Sequence, residues 1–376
     1  MEPFPEVQPL TELVLRNAVR HPNKPALVDG QSSITFGKLL ERASNLAFAL
    51  HRLGCAPGDR VACIMEKRNE AVVAFLACAM SGTVFFPVDY NQTRPHLQFI
   101  FDLTSPSALI VQKKFLQQLA GLHVHCGGDR TIIHYSATDS RAGEDDLRWD
   151  QIVRTPSGHG WHPVMTGPDD PVYLNFTSGT TGTPKAAVTT NANLHWNTRA
   201  AIEAFELCED DVHLSMFPIF GHPHELFMRG LMLGGTSVLV DGIAPRTVVE
   251  SLDRNNVTCM MAVASIYQSL LKYVQMSDKK LPSLRVAESG GMFVTEDLAR
   301  SFNSVMGIPI SPVWGSTEAC GIALINHAVS SDGFHPGATG RPAPHYEVKL
   351  VDDDGRTIEK PGVVGQMCVK GPGVCG

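Results

Sequence analysis

Thr177-Ser178-Gly179-Thr180-Thr181-Gly182-Thr183-Pro184-Lys185 is the stretch on which the reading of this chain turns. It follows directly on Val172-Tyr173-Leu174-Asn175-Phe176, a short apolar run that reads as a buried strand. Its two glycines, five hydroxyls and one lysine are the residue types that a polyphosphate demands. Crowded anionic oxygens need close backbone N–H groups, which small residues permit, with hydroxyl donors and one flexible cation beside them. The loop is not of the G-x-x-x-x-G-K-[ST] type, because Pro184 precedes Lys185. An ordinary surface loop can share this composition; the position straight after a strand favours phosphate binding.

Strand and helix alternate on both sides of this loop. Upstream, Thr35 reads as the cap of a helix with Leu39, Ala43, Leu46, Ala47, Leu50 and Leu53 on one stripe. Pro57-Gly58-Asp59 reads as a turn, Arg60–Ile64 as a strand, Glu66–Met80 as a helix and Thr83–Val88 as a strand. Downstream, Asn191 can cap a helix bearing Leu194, Ala201, Ile202 and Phe205. Strands are expected over 237–240, 259–263 and 284–287, and a helix over Thr295–Met306 with Leu298, Phe302 and Val305 inward. The class is therefore α/β: two βα-type subdomains with largely parallel sheets flanked by helices. Residues 121–170 are polar and irregular and read as a connecting region. From Gly337 the pattern changes to strand-like 345–351, a turn at Asp352-Asp353-Asp354-Gly355 and a strand at 365–370. The expected domains are 1–170 with the connecting region, 171–336 with the phosphate loop, and 337–376 as a small β-barrel-like subdomain.

Composition excludes several classes. The 376 residues carry 31 Lys+Arg against 38 Asp+Glu, a formal charge of −7. No basic excess or polybasic run offers a footprint for nucleic acid or an anionic membrane. The apolar run 72–80 is far shorter than the ~20 residues that span a bilayer, and Met1-Glu2-Pro3-Phe4 does not open a signal peptide. Nine scattered cysteines without C-x-x-C argue against a disulfide framework or a thiolate zinc site. A cytoplasmic protein with reduced thiols, and with neither nucleic acid nor membrane as partner, is expected.

The loop Thr177–Lys185 resembles the signature loop of the adenylate-forming superfamily: acyl-CoA synthetases, adenylation domains of nonribosomal peptide synthetases, and luciferases. Ala186 stands where that family usually has glycine, a departure that removes no donor. Further motifs follow in the family's order. Val313-Trp314-Gly315-Ser316-Thr317-Glu318 resembles its aromatic-Gly-x-Thr-Glu segment and is expected on a strand-to-helix turn. Ser289-Gly290-Gly291-Met292 resembles its Gly-Gly segment, and Phe217–Glu225 its Pro-x-Phe-His segment, with His222 the preferred match and His224 the second. His222 and His224 also form an H-x-H pair, but no third metal ligand sits at helical spacing. Thr83–Asp89, Gly337–Pro342 and Gly365–Gly371 resemble other motifs of the family, so the likeness covers nearly the whole chain.

The resemblance implies ATP-dependent activation of a carboxylic acid to an acyl-adenylate with release of pyrophosphate. Lys185, Thr317 and Glu318 take the catalytic roles, with Glu318 also holding Mg²⁺. Thr177, Ser178, Gly179, Thr180, Thr181, Gly182, Gly290, Gly291 and Trp314 bind the nucleotide, the loop and Glu318 converging on it. His222, Ser289 and Val313 border the acid. The activated acyl group would pass to coenzyme A, as in an acyl- or aryl-CoA ligase, or to the phosphopantetheine arm of a carrier protein, as in a stand-alone adenylation domain. A nucleotide-binding scaffold without catalysis is the alternative of another class. Amino-acid-activating relatives place an Asp in the segment matching 217–225, and none stands there, so an aryl or acyl carboxylate is expected. No Thr-Gly-Asp segment, hinge residue or C-terminal lysine follows. The family's small C-terminal lid is therefore expected to be absent and full turnover impaired.

Overall fold

The computed structural model describes all residues except 1–5, 31, 125–130, 135–146, 159, 178–184 and 327–334, and also omits the side chains of His134 and Thr177. The chain forms two compact units: Met1–Asn191 with Phe217–Leu239, and Ala192–Met216 with Val240–Gly376.

The first unit is built on a seven-stranded sheet. Its strands lie in the order Leu147–Arg148, Thr131–His134, Ala108–Gln112, Arg60–Ile64, Val84–Pro87, Pro171–Thr177 and Lys185–Thr190. All pair in parallel except the last, which returns antiparallel to Pro171–Thr177. The central strands are buried almost throughout, as a sheet covered on both faces requires. The helix Phe36–Arg52 lays Leu39, Ala43, Leu46, Ala47 and Leu50 inward, and Thr35 caps it by accepting from the backbone N–H of Lys38 at 3.3 Å. The helix Asn69–Ser81 is apolar on nearly every side and correspondingly buried; it ends where Gly82 takes φ 71°. A further helix, Arg94–Thr104, with Pro95 in its first turn, packs Leu97, Ile100 and Phe101 against Phe86, Val88, Leu109 and Val111. The unit also holds the helix Leu10–Arg20 and a hairpin of Pro25–Asp29 with Ser32–Thr35, whose first strand runs parallel to Thr236–Leu239.

In the second unit, Val212–Ser215, Cys259–Ala262, Val286–Ser289 and Ile310–Ser316 are parallel neighbours in that order. Gly321–Ile325 and then Arg341–Pro342 extend them antiparallel. Helices Asn191–Ala204 (its first residue in the first unit), Pro245–Arg254, Ala264–Ser277 and Glu296–Met306 connect these strands. No described helix is long and apolar enough to cross a membrane.

The two largely parallel sheets are as expected, and several details differ. Residues 121–170 are more than a connection, because Thr131–His134 and Leu147–Arg148 add the outer parallel strands of the first sheet. Such short edge strands carry too few residues to show a period. The phosphate-loop strand Pro171–Thr177 belongs to this same sheet, so the units do not divide at 170. Val305 is 39% exposed, whereas Leu298 and Phe302 are buried. At the C-terminal end the described residues form a two-stranded antiparallel ladder, Glu347–Val351 with Gln366–Lys370, and no closed barrel is seen among them.

Candidate active site

Lys185 opens its strand and stands opposite Thr177 in the antiparallel ladder, so the two ends of the phosphate loop are held together. The Lys185 side chain is exposed. Ser178, Gly179, Thr180, Thr181 and Gly182 lie outside the described residues, and Thr177 enters through its backbone register alone.

The histidine segment lies in the same unit. Asn175, on the strand that leads into the loop, donates from Nδ2 to the carbonyl of Gly221. Tyr173 Oη and His224 Nδ1 share a hydrogen bond of 2.9 Å, and both side chains are buried. His224 Nε2 stands 3.6 Å from Glu225 Oε1. His222 differs: its Nδ1 is buried and has no hydrogen-bond partner among the described residues. Burial lowers the His222 pKa against the opposing pull of Glu225, which keeps its ring neutral at pH 7. Among the described residues no cluster of three His, Cys, Asp or Glu could hold a metal on its own.

The remaining candidates lie in the second unit. The strand Val286–Ser289 leads straight to Gly290 and Gly291. A Cβ on Gly290 would come within 3.0 Å of Met261 Cε and 3.2 Å of Val313 Cγ2. Gly291 takes φ 76°, a conformation that favours glycine. Ser289 is fully buried, and its Oγ has no hydrogen-bond partner among the described residues.

Val313 and Trp314 lie on the neighbouring strand. That strand does not lead into a helix, contrary to expectation: it turns at residues 317–320 and returns as Gly321–Ile325. The hairpin follows from what comes after Glu318. Cys320 adopts φ 56° and Gly321 φ 122°, so the chain reverses before a helical turn can form. Gly315 permits the close return, since a Cβ there would fall 1.9 Å from the carbonyl oxygen of Gly321. Thr317 is half-buried at the turn. Glu318 is exposed and in no ion pair among the described residues.

Gly291, Val313 and Trp314 meet at one cavity of ≈ 440 Å³, with Met292, Phe293 and Pro312 also on its wall. That is within the roughly 300–1,000 Å³ of small-molecule pockets. Gly290 backs this wall through Val313, and Thr317 and Glu318 occupy the turn of the hairpin that carries Trp314. Asn326, absent from the sequence-based set, fixes the opposite wall at Gly337–Thr339. Its Nδ2 donates to the carbonyls of His335 and Ala338, both at 2.9 Å, and its Oδ1 accepts from the N–H of His335. The signal available for it was a lone amide closing the apolar run 321–325.

Glycines and an indole on the wall leave room for a planar ring, and the carboxylate on the adjoining turn suits a cation. Comparison with known proteins agrees. The chain is 29% identical over 368 residues to the indoleacetate–CoA ligase of Aromatoleum aromaticum, covering 97% of this chain and 70% of that one. It is 29% identical over 355 residues to the benzoate–CoA ligase of Thauera aromatica, covering 93% and 65%. In fold it is similar to an anthranilate CoA ligase solved in complex with anthranoyl-AMP, with TM-score 0.89 and 22% identity over 99% of this chain and 71% of that one. The family model described as AMP-binding enzyme matches residues 14–376, and with nearly the whole length so accounted for, the chain belongs to that family of AMP-binding enzymes.

Proposed function

We propose that this protein uses ATP to activate a carboxylic acid as its acyl-adenylate, releases pyrophosphate, and passes the acyl group to coenzyme A. The observation that carries this reading is the second unit's cavity, with Trp314 and Gly291 on its wall and Glu318, in no ion pair among the described residues, on the same hairpin. Gly290, Gly291 and Trp314 hold the adenine. Lys185 and the loop from Thr177 to Gly182 hold the departing phosphates, and Thr317 donates a hydrogen bond at the α-phosphate. A substrate carboxylate oxygen attacks the α-phosphorus in line as the bond to pyrophosphate breaks. The protein's part is to position the reactants and to place donors where charge develops.

Glu318 suits Mg²⁺, a hard cation that takes one or two carboxylates and completes its shell with phosphate oxygens and water. When bound, Mg²⁺ neutralises phosphate charge.

His222, Ser289 and Val313 border the acid. The buried, neutral imidazole of His222 and the uncompensated Ser289 Oγ are groups for which a bound carboxylic acid supplies a partner. The ligases of indoleacetate and benzoate among the relatives support an aromatic acid. Coenzyme A is the proposed thiol on the same grounds, with a carrier-protein phosphopantetheine as the competing acceptor.

The test is ATP–pyrophosphate exchange with indoleacetate, benzoate, a fatty acid and an α-amino acid, followed by competition between coenzyme A and pantetheine. Exchange that depends on an aromatic acid is expected. Exchange driven best by an α-amino acid, or independent of any acid, contradicts the reading.

A further inference from the structure

The turn that carries Thr317 and Glu318 is braced by side chains that belong to no motif. Cys320, at φ 56°, is a non-glycine residue in the left-handed region, a conformation that persists only where surrounding structure holds it. The carbonyls on either side of it are tied by one carboxamide. Asn197, on the helix Asn191–Ala204, shares the two N–H groups of Nδ2 among Ile322 O at 2.9 Å, Tyr346 Oη at 2.8 Å and, more distantly, Ala319 O at 3.3 Å. Tyr346 Oη in turn donates to Ala319 O at 3.0 Å. Asn197 and Tyr346 are both buried, so these carbonyls have little access to water.

A second arm comes from the segment 371–375. The N–H of Cys375 donates to Glu318 O at 2.7 Å, and its Sγ lies 3.7 Å from Thr317 O. Asn193 anchors that segment by donating to the carbonyls of Pro372 and Val374, both at 3.0 Å. The segment also seats on Tyr346: a Cβ at Gly373 would fall 1.9 Å from Tyr346 Oη.

We propose that Asn197, acting with Tyr346, is a positioning residue that sets the Thr317–Glu318 turn for acid activation. The inference rests on the proposed function and has one readout independent of it. In ATP–pyrophosphate exchange, Asn197→Ala is expected to lower kcat about 10- to 100-fold, the scale on which misplacing reacting groups acts. The KM values for ATP and acid should change less than about threefold. Tyr346→Phe, which deletes one oxygen, is expected to lower kcat about fivefold, and the double variant should be less impaired than the product of the two single effects.

Amide hydrogen exchange gives the independent readout: Asn197→Ala and Tyr346→Phe should speed exchange at Ala319 and Cys320 at least tenfold and leave strand 286–289 unchanged. If wild type shows no acid-dependent exchange, the proposed function fails, and the amide readout still decides the role of Asn197. Should Asn197→Ala not fold, Tyr346→Phe carries both measurements. An unchanged kcat, a fall in kcat matched by equal losses in KM and melting temperature, or unaltered turn amides overturns the proposal.

Discussion

The hairpin around Trp314 and the segment around His222 are both short stretches singled out by residue type; an asparagine ties a backbone carbonyl in each, and only the second is also held through one of its own side chains. The hairpin is held through its backbone. Gly315 lets the two strands close, and Asn197, Tyr346 and Cys375 tie the turn's carbonyls. Trp314 lies on the cavity wall, and none of these ties uses the side chains of Thr317 or Glu318. The histidine segment is held through side chains: Tyr173 engages His224, and Asn175 engages the carbonyl of Gly221. That use engages one ring nitrogen of His224, whereas His222 Nδ1 has no hydrogen-bond partner among the described residues, in keeping with the proposed role of His222. A motif histidine and a motif glycine can therefore look equally telling in a sequence while one is structural and the other leaves its neighbours free to act.

The largest effect is expected where the backbone route is blocked. Gly315→Ala places a methyl group against the Gly321 carbonyl and should cost about 3 kcal/mol, the upper part of the range for overpacking, with exchange activity lost. Urea denaturation reads the first and pyrophosphate exchange the second. Wild-type stability in this variant would break the claim that the hairpin is fixed by close backbone approach.

In the histidine segment, His224→Ala should cost about 2 kcal/mol, because a buried ring and its 2.9 Å bond with Tyr173 Oη are both lost. His222→Ala, which breaks no hydrogen bond of Nδ1 among the described residues, should cost less stability than His224→Ala and raise the KM for the acid about tenfold. If the two substitutions behave alike in both measurements, the division between a structural and an available histidine is wrong.

A smaller effect separates the units by pH. In the second unit, burial pushes the Asp211 carboxyl up, but Arg285, Thr258 and the N–H of Cys208 together bring it down from 3.8 to about 2. The Arg285 Nε and Thr258 Oγ1 bonds to Asp211 Oδ1 are 2.9 and 2.7 Å. A carboxyl depressed in the folded state adds stability that is complete above its unfolded pKa and is lost as pH falls through the folded one. The contribution, about 1–2 kcal/mol, should therefore be present at pH 5 and vanish between roughly pH 4 and 2. Asp211→Asn should show a correspondingly shallower loss of stability across that window in acid titrations. An identical slope in the variant would remove Asp211 from the account.

The mildest change is Trp314→Phe, which keeps an aromatic face on the cavity. ATP affinity should fall about threefold, less than 1 kcal/mol. A loss of 100-fold would mean that the indole N–H, and not the face, makes the contact.

Much of this organisation is legible in the chain itself. The helix Phe36–Arg52 and the strand Arg60–Ile64 follow from period and capping, since Thr35 and the apolar stripe agree with each other. The turn at Thr317–Cys320 does not, because what makes it a hairpin is a left-handed Cys320 and a close approach of Gly315 to Gly321. Both depend on the partner strand. Thr131–His134 and Leu147–Arg148 were hidden for a related reason: short edge strands gain their stability from the neighbours they pair with. Asn197 carries no local signal and Asn326 only a faint one, since their value lies in carbonyls more than 100 and about ten residues away.

The most direct test of the central claim is titration of ATP with Mg²⁺ into the wild-type protein, Lys185→Ala and Glu318→Ala by calorimetry. The account predicts that wild type binds and that each variant binds at least tenfold more weakly, because phosphate and metal contacts are lost. Equal affinity in all three proteins, or no binding by wild type, would contradict it.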